Sequence, residues 1–297
     1  MPTIPIDVPT EQQASFLARY QRITHNTSNL FLFAADQKME HLNHDFFGPG
    51  LAPEINHPEH VFTIAQQAPI GAFATHLGLI TRYGKYYSDI PYIIKLDGKT
   101  NLSQSEPYSQ QLWTVEQVLT LQNNIPHICG VGYTIYLGSE YERNMLVEAT
   151  TIIQEAHKHG LLALLWIYPR GKSVKDEQDP ALIAGAAGVA TSLGADFVKV
   201  HQPYQPRDLY QAVQAAGTTK VIVSGGITQN PQDFLTLTYQ NLIQGHVAGM
   251  AVGRNIFQHP LKQALALAKA LAAIIYENKN DKEAYEIYRK NILLNQH

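Results

Sequence analysis

The chain is poor in cysteine, tryptophan and charge. Its single cysteine, Cys129, has no partner for a disulfide within the chain, which excludes the stapled framework of small secreted folds. Charged residues make up 16% of the 297 positions, against roughly 25% in an average globular protein. With 45% hydrophobic residues on hand, wholesale disorder is excluded as well. Neither sign of charge dominates: 22 Lys and Arg stand against 25 Asp and Glu, a formal net charge of −3. There is no global field for holding a polyanion, so binding of nucleic acid is not expected. Long apolar runs are missing too. The most apolar, Leu161 to Ile167, falls far short of the roughly 20 residues of a membrane-spanning helix. Residues 1 to 22, with Pro2, Pro5, Pro9, Glu11 and Arg19, hold no apolar core of a signal peptide. The expectation is a cytoplasmic protein with no membrane partner.

What the chain does have is alternation. Short apolar runs of strand length recur at 29–36, 68–75, 91–98, 127–136, 161–169, 195–201, 219–226 and 246–253. Between and after them, helical spacing predicts helices at 57–67, 76–84, 114–123, 140–159, 180–193, 207–216, 231–244 and 259–277. Continuous apolar strands followed by amphipathic helices indicate a parallel sheet covered by helices. Eight such units predict an α/β fold, a (β/α)8 TIM barrel, with an open doubly wound sheet as the competing architecture. One domain spanning 1–297 is expected, its core at about 29–277, with short N-terminal and C-terminal extensions, the latter at 279–297. Punctuation agrees: Ser139 with Glu142 reads as a capping box, Asp179-Pro180 as a cap and first-turn proline, and Gly194 and Gly217 as helix stops. The stretches 85–90 and 99–113 read as loops.

In a barrel, reactive groups belong at the C-terminal ends of strands. In ADFVKVH, Val198 and Val200 share one face, so Lys199 points into the barrel. A lysine there serves in an ion pair or as an amine of lowered pKa that forms a Schiff base. In LLALLWIYPRG, Trp166 and Tyr168 share the inward parity, and Arg170 opens the loop above. A phenol beside an amine can exchange protons with a substrate hydroxyl; the plainer readings are core filler for Trp166 and a solvated charge for Arg170. Asp36 ends the first run, either as a helix cap or as an acid at the mouth. His41 and His44, near Asp36, Glu40 and Asp45, have permissive metal-ligand spacing, yet no Cys pair or HExxH supports a metal, and none is expected. The seventh and eighth runs end in VSGGIT and AVGRNIF, so Ser224, Gly225, Gly226, Gly253 and Arg254 form a candidate phosphate cradle. Lys95 is a further inward charge if Ile94 points out.

Taken in order, DQKMEHLN, WIYPRG, FVKV, SGGI and VGRNIF resemble the archaeal-type class I fructose-bisphosphate aldolases, a Schiff-base family also found in bacteria, over about Phe31 to Phe257. The resemblance implies that Lys199 is the Schiff-base lysine, Tyr168 the proton donor and acceptor, Asp36 the acidic residue of the first strand and Trp166 the substrate-shaping tryptophan. It further implies that Arg170 lies on a phosphate side and that the two glycine motifs hold the phosphate near the keto group. One departure is visible: many relatives have Asp-His-Gly where this chain has Asp36-Gln37-Lys38.

The function implied is metal-independent, reversible cleavage of fructose 1,6-bisphosphate to dihydroxyacetone phosphate and glyceraldehyde 3-phosphate, in glycolysis and gluconeogenesis, by a homo-oligomer whose only cofactor-like group is the lysine imine. Two alternatives remain: another Schiff-base or transaldolase-like lyase on a phosphorylated keto sugar, and a phosphosugar-binding protein without turnover.

Overall fold

The computed structural model describes residues 2–103 and 105–293. Their strands are β1 (Leu30–Ala34), β2 (Ala72–His76), β3 (Tyr92–Lys95), β4 (Asp97–Gly98), β5 (Gln110–Gln111), β6 (Ile128–Leu137), β7 (Leu162–Pro169), β8 (Phe197–Val200), β9 (Lys220–Ser224) and β10 (Gly249–Val252). Eight of them form one closed parallel barrel in the order β1-β2-β3-β6-β7-β8-β9-β10. Closure is explicit in the register, since β10 pairs back onto β1 with Met250 opposite Phe31 and Val252 opposite Phe33. An open sheet is thereby excluded, and each expected run supplies one barrel strand.

The alternation along the strands sorts side chains into two cores. Leu165, Ile167, Val198, Val200 and Ile94 join the layer between strands and helices. Leu164, Trp166, Phe197, Ile93 and Ile222 fill the barrel interior. Helix Pro180–Leu193 forms as the sequence predicts: Asp179 accepts from the Ala181 N–H at 2.8 Å, and Gly194 takes the left-handed conformation that stops it.

Three parts differ from expectation. The Ser139/Glu142 capping box does not form. Ser139 Oγ donates to the Pro107 carbonyl, and the Glu142 carboxylate accepts from the Gly138 N–H, so both side chains tie down the loop ahead of helix Glu142–Lys158. A full capping box sits instead at Thr114 and Gln117. The stretch 99–113 is not all loop, because β5 pairs antiparallel with β4. Finally, the N-terminal extension contains helix Gln13–Ile23, whose buried Phe16, Tyr20 and Ile23 close the base of the barrel against the interior core. Cys129 lies in that interior, where burial pushes its thiol up to about 12.

Within the expected extension 279–297, helix Asp281–Leu293 packs on helices Leu261–Glu277 and Pro231–Ile243, with Thr236 Oγ1 donating to Asp281 at 2.9 Å. Residues 294–297 lie outside the described residues. Among the described residues no helix is long and apolar enough to cross a membrane.

Candidate active site

The C-terminal ends of the barrel strands surround a cleft with about 900 Å³ of unfilled space, part of it open to solvent. All ten site residues expected from the sequence line it: Asp36, Trp166, Tyr168, Arg170, Lys199, Ser224, Gly225, Gly226, Gly253 and Arg254.

Lys199 is at the centre. Strand register puts it beside Trp166 across the β7–β8 ladder, and only 7% of it is exposed. Its amine lies 5.5 Å from the centre of the Trp166 ring and 5.9 Å from that of Tyr168. Burial lowers its pKa to about 8, with the positive charge of Lys95 in the same direction and Asp36 opposing. About a tenth of the amine is therefore neutral at pH 7, the form that attacks a carbonyl.

Room for the indole comes from β6. A Cβ on Gly132 would sit 2.2 Å from a Trp166 ring carbon, so glycine is required there. The buried indole Nε1 has no hydrogen-bond partner among the described residues.

Burial, reinforced by the carboxylates of Asp36 and Glu40, holds the Tyr168 phenol protonated well beyond the usual range. Asp36 stands at the N-cap position of helix Gln37–Glu40, as one reading of the sequence has it, but its side chain makes no capping hydrogen bond. Burial works to raise its pKa, but Lys199 and Lys95 outweigh this and keep it below the usual carboxylate value, hence ionised.

The glycine loops after β9 and β10 are joined. Asn255, 1% exposed, donates from Nδ2 to the carbonyls of Gly225 and Ile227, both at 2.9 Å, and accepts from the Gln229 N–H at 2.8 Å. Gly226 has φ +68° with open space beyond its Cα, leaving the backbone approachable. Arg254 borders this cradle and lies 3.9 Å from Asp45. The Gln37 of the departing loop lies over Gly253, where an added Cβ would come 2.6 Å from its Nε2.

Ser109 and His201, which line the cleft, and Asp97 and Glu177, which support it, have no motif in the sequence. Lys95 points inward, as its parity predicts, and pairs with the fully buried Asp97 at 2.6 Å; Ser109 donates to the other Asp97 oxygen. The Lys95 amine also faces the Trp166 ring, at 5.4 Å. Arg170 is gripped by both oxygens of Glu177, at 2.8 and 2.7 Å. Burial would raise the Glu177 pKa, yet His201 and Arg170 bring it down to about 2. His41 is paired with Asp45 at 2.5 Å, and among the described residues no group of three or more His, Cys, Asp or Glu converges as metal ligands.

An amine of lowered pKa, a protonated phenol and a carboxylate thus converge beside a glycine-lined anion cradle, a set able to form an imine with a phosphorylated ketone and move protons around it. Residues 30–259 match the DeoC/LacD family aldolases. Over 290 residues the chain is 49% identical to a Methanocaldococcus jannaschii protein named fructose-bisphosphate aldolase/6-deoxy-5-ketofructose 1-phosphate synthase, covering 96% of this chain and 94% of that one. A fructose-bisphosphate aldolase from Slackia heliotrinireducens superimposes with a TM-score of 0.95 at 42% identity, over 99% of this chain and 96% of that one. An archaeal fructose-1,6-bisphosphate aldolase, solved with its catalytic Lys covalently bound to the carbinolamine intermediate of its substrate, does so with a TM-score of 0.79 at 33% identity, over 88% and 99%. The chain belongs to the DeoC/LacD family of aldolases and is a carbon-carbon lyase.

Proposed function

We propose that the protein catalyses the reversible cleavage of fructose 1,6-bisphosphate through a Schiff base on Lys199. The observation that carries this reading is the placement of the lowered-pKa amine between the glycine cradle over β9 and β10 and the phenol of Tyr168 on β7. A keto carbon adjacent to a cradled phosphate falls within reach of Lys199, and the remainder of the sugar runs toward Tyr168.

Neutral Lys199 adds to the C2 carbonyl, giving a carbinolamine. Asp36, ionised in the free enzyme, first carries one proton of the attacking nitrogen to the oxygen and then passes a proton taken up from solvent to the resulting hydroxyl; water leaves as the nitrogen lone pair closes on C2, and the remaining N–H makes a protonated imine. This cation, on the atom 5.9 Å from the Tyr168 ring centre, pulls the phenol pKa down, so that Tyr168 releases its proton to solvent and the phenolate then accepts the C4 hydroxyl proton. The C3–C4 bond then breaks, its electrons neutralise the imine to an enamine, and glyceraldehyde 3-phosphate departs. Tyr168 returns its proton to C3, and water releases dihydroxyacetone phosphate. Run backwards, the phenolate takes the C3 proton of the dihydroxyacetone phosphate imine, and the phenol so formed is the acid that quenches the new C4 alkoxide. Trp166 shapes the chain conformation, and the cradle supplies binding remote from the reacting carbons. The imine provides the electron sink, so no step requires a metal.

Borohydride added with dihydroxyacetone phosphate should attach the ligand to Lys199, as mapped by mass spectrometry, and a chelator should leave cleavage intact. Absence of the adduct would sink the proposal, and loss of activity to the chelator would redirect attention to the residues around His41.

A second reading has support in the double name of the 49% identical relative. Disconnecting 6-deoxy-5-ketofructose 1-phosphate between C3 and C4 gives the same dihydroxyacetone phosphate unit and an uncharged 2-oxoaldehyde. The same enamine on Lys199 would add to either aldehyde, so the acceptor end of the cleft decides between them.

A further inference from the structure

The two ends of the cleft differ in charge balance. Around the barrel, the glycine cradle sits over β9 and β10, Lys199 on β8, and Arg170 beyond it at the end of β7. A ketose phosphate held by its first phosphate in the cradle therefore extends its aldehyde half toward Arg170. At that end each cation already has a carboxylate. Arg170 holds Glu177 through Nε and Nη2, Lys99 lies 3.7 Å from Glu40, and Lys95 is paired with Asp97. Glu40 also accepts from the Tyr136 hydroxyl at 3.2 Å. At the cradle, Arg254 has only the looser 3.9 Å approach to Asp45, which His41 engages at 2.5 Å.

The Arg170 fork is occupied in a defined way. Both Glu177 oxygens take the side of the guanidinium that normally binds a phosphate in bidentate fashion. His201 contacts Nη2 at 3.4 Å, and Nη1 makes no hydrogen bond among the described residues. A second phosphate reaching Arg170 must either displace Glu177 or settle against Nη1 with a carboxylate as its neighbour. Either route costs affinity that an uncharged aldehyde half does not lose.

We infer that Glu177 is a specificity-determining residue: by occupying the Arg170 fork it weakens binding of a phosphorylated aldehyde half and widens acceptance to monophosphorylated ketoses and uncharged aldehydes. The inference rests on the aldolase reading given above and concerns its acceptor end.

The test compares kcat/KM for cleavage of fructose 1,6-bisphosphate and fructose 1-phosphate in the wild type, Glu177→Gln and Glu177→Asp. In Glu177→Gln the bisphosphate-to-monophosphate ratio should rise about five- to tenfold, the scale of removing one partly exposed like charge, through a lower KM for the bisphosphate. Glu177→Asp keeps the charge and should stay near the wild-type ratio. A ratio unchanged or lowered in Glu177→Gln would overturn the inference, as would an equal rise in Glu177→Asp. A merely structural Glu177 would move both substrates together and leave the ratio where it was. The borohydride adduct separates the two levels of failure: an adduct at Lys199 with an unmoved ratio rejects only the role of Glu177, whereas no adduct and no cleavage rejects both.

Discussion

The phenol ring of Tyr168 lies stacked on the imidazole of His201, with centroids 4.2 Å apart and planes inclined by 27°. A phenyl ring fits the same slot, so replacing Tyr168 by Phe removes the hydroxyl while leaving the ring held. The expected outcome for Tyr168→Phe is a borohydride adduct at Lys199 formed as in the wild type, with turnover reduced by about 10² to 10⁴, the usual worth of a positioned proton donor. Steady-state kinetics and mass spectrometry on one preparation check both halves.

The pH dependence follows from Lys199. Its amine must be neutral to attack, and burial sets its pKa to about 8. Below pH 8, kcat/KM should fall about tenfold per pH unit, and above it the profile should level off. Tyr168 stays protonated beyond the ordinary phenol range, so its ionisation in the free enzyme adds no descending limb before pH 10. A profile flat from pH 6 to 9 would remove Lys199 from the nucleophile role.

Lys199 also burdens the fold. An amine that titrates near 8 when folded and near 10.5 when unfolded makes the folded state unfavourable for the bound proton. The penalty is fully present below pH 8 and disappears as the pH rises toward 10.5. Lys199→Met should therefore abolish activity yet stabilise the protein by about 3 kcal/mol at pH 7, from 1.36 kcal/mol per pKa unit. Urea unfolding at pH 7 and pH 10 checks the sign, since the gain should shrink at the higher pH.

Asn255 holds three backbone groups of the glycine loops. Asn255→Ala leaves two carbonyls and one N–H without that partner and should destabilise the protein by about 2 kcal/mol. Loosening the cradle should raise KM for phosphorylated substrates about tenfold with a smaller change in kcat. Chemical denaturation and substrate titration measure the two effects separately.

The barrel was legible because strand parity and helix spacing repeat eight times, and the same parity placed Lys199, Trp166, Tyr168 and Lys95 inside. The strand-end rule then collected the site residues. What escaped has no period. Glu177 and His201 reach Arg170 from an irregular segment and from the end of β8, seven and 31 positions away. Strands β4 and β5 are two residues each, with no apolar side chain between them, too short for alternation to register, so the Asp97–Ser109 support under Lys95 went unseen. Helix Gln13–Ile23 did leave a signal, since Phe16, Tyr20 and Ile23 follow helical spacing and are all buried. The Ser139 pattern misled because nearby backbone groups competed successfully for both capping side chains.

That N-terminal helix has a consequence for synthesis. Arg19 donates to the carbonyls of His159 and Gly160, 140 and 141 positions further along the chain, and Tyr20 stacks on Phe197. At ribosomal speeds of about 5 to 20 residues per second, the helix waits on the order of ten seconds or more for these partners to be made. Its apolar face therefore emerges well before the groups that cover it, and β1 waits longer still, since Leu30 pairs with Gly249, 219 positions on.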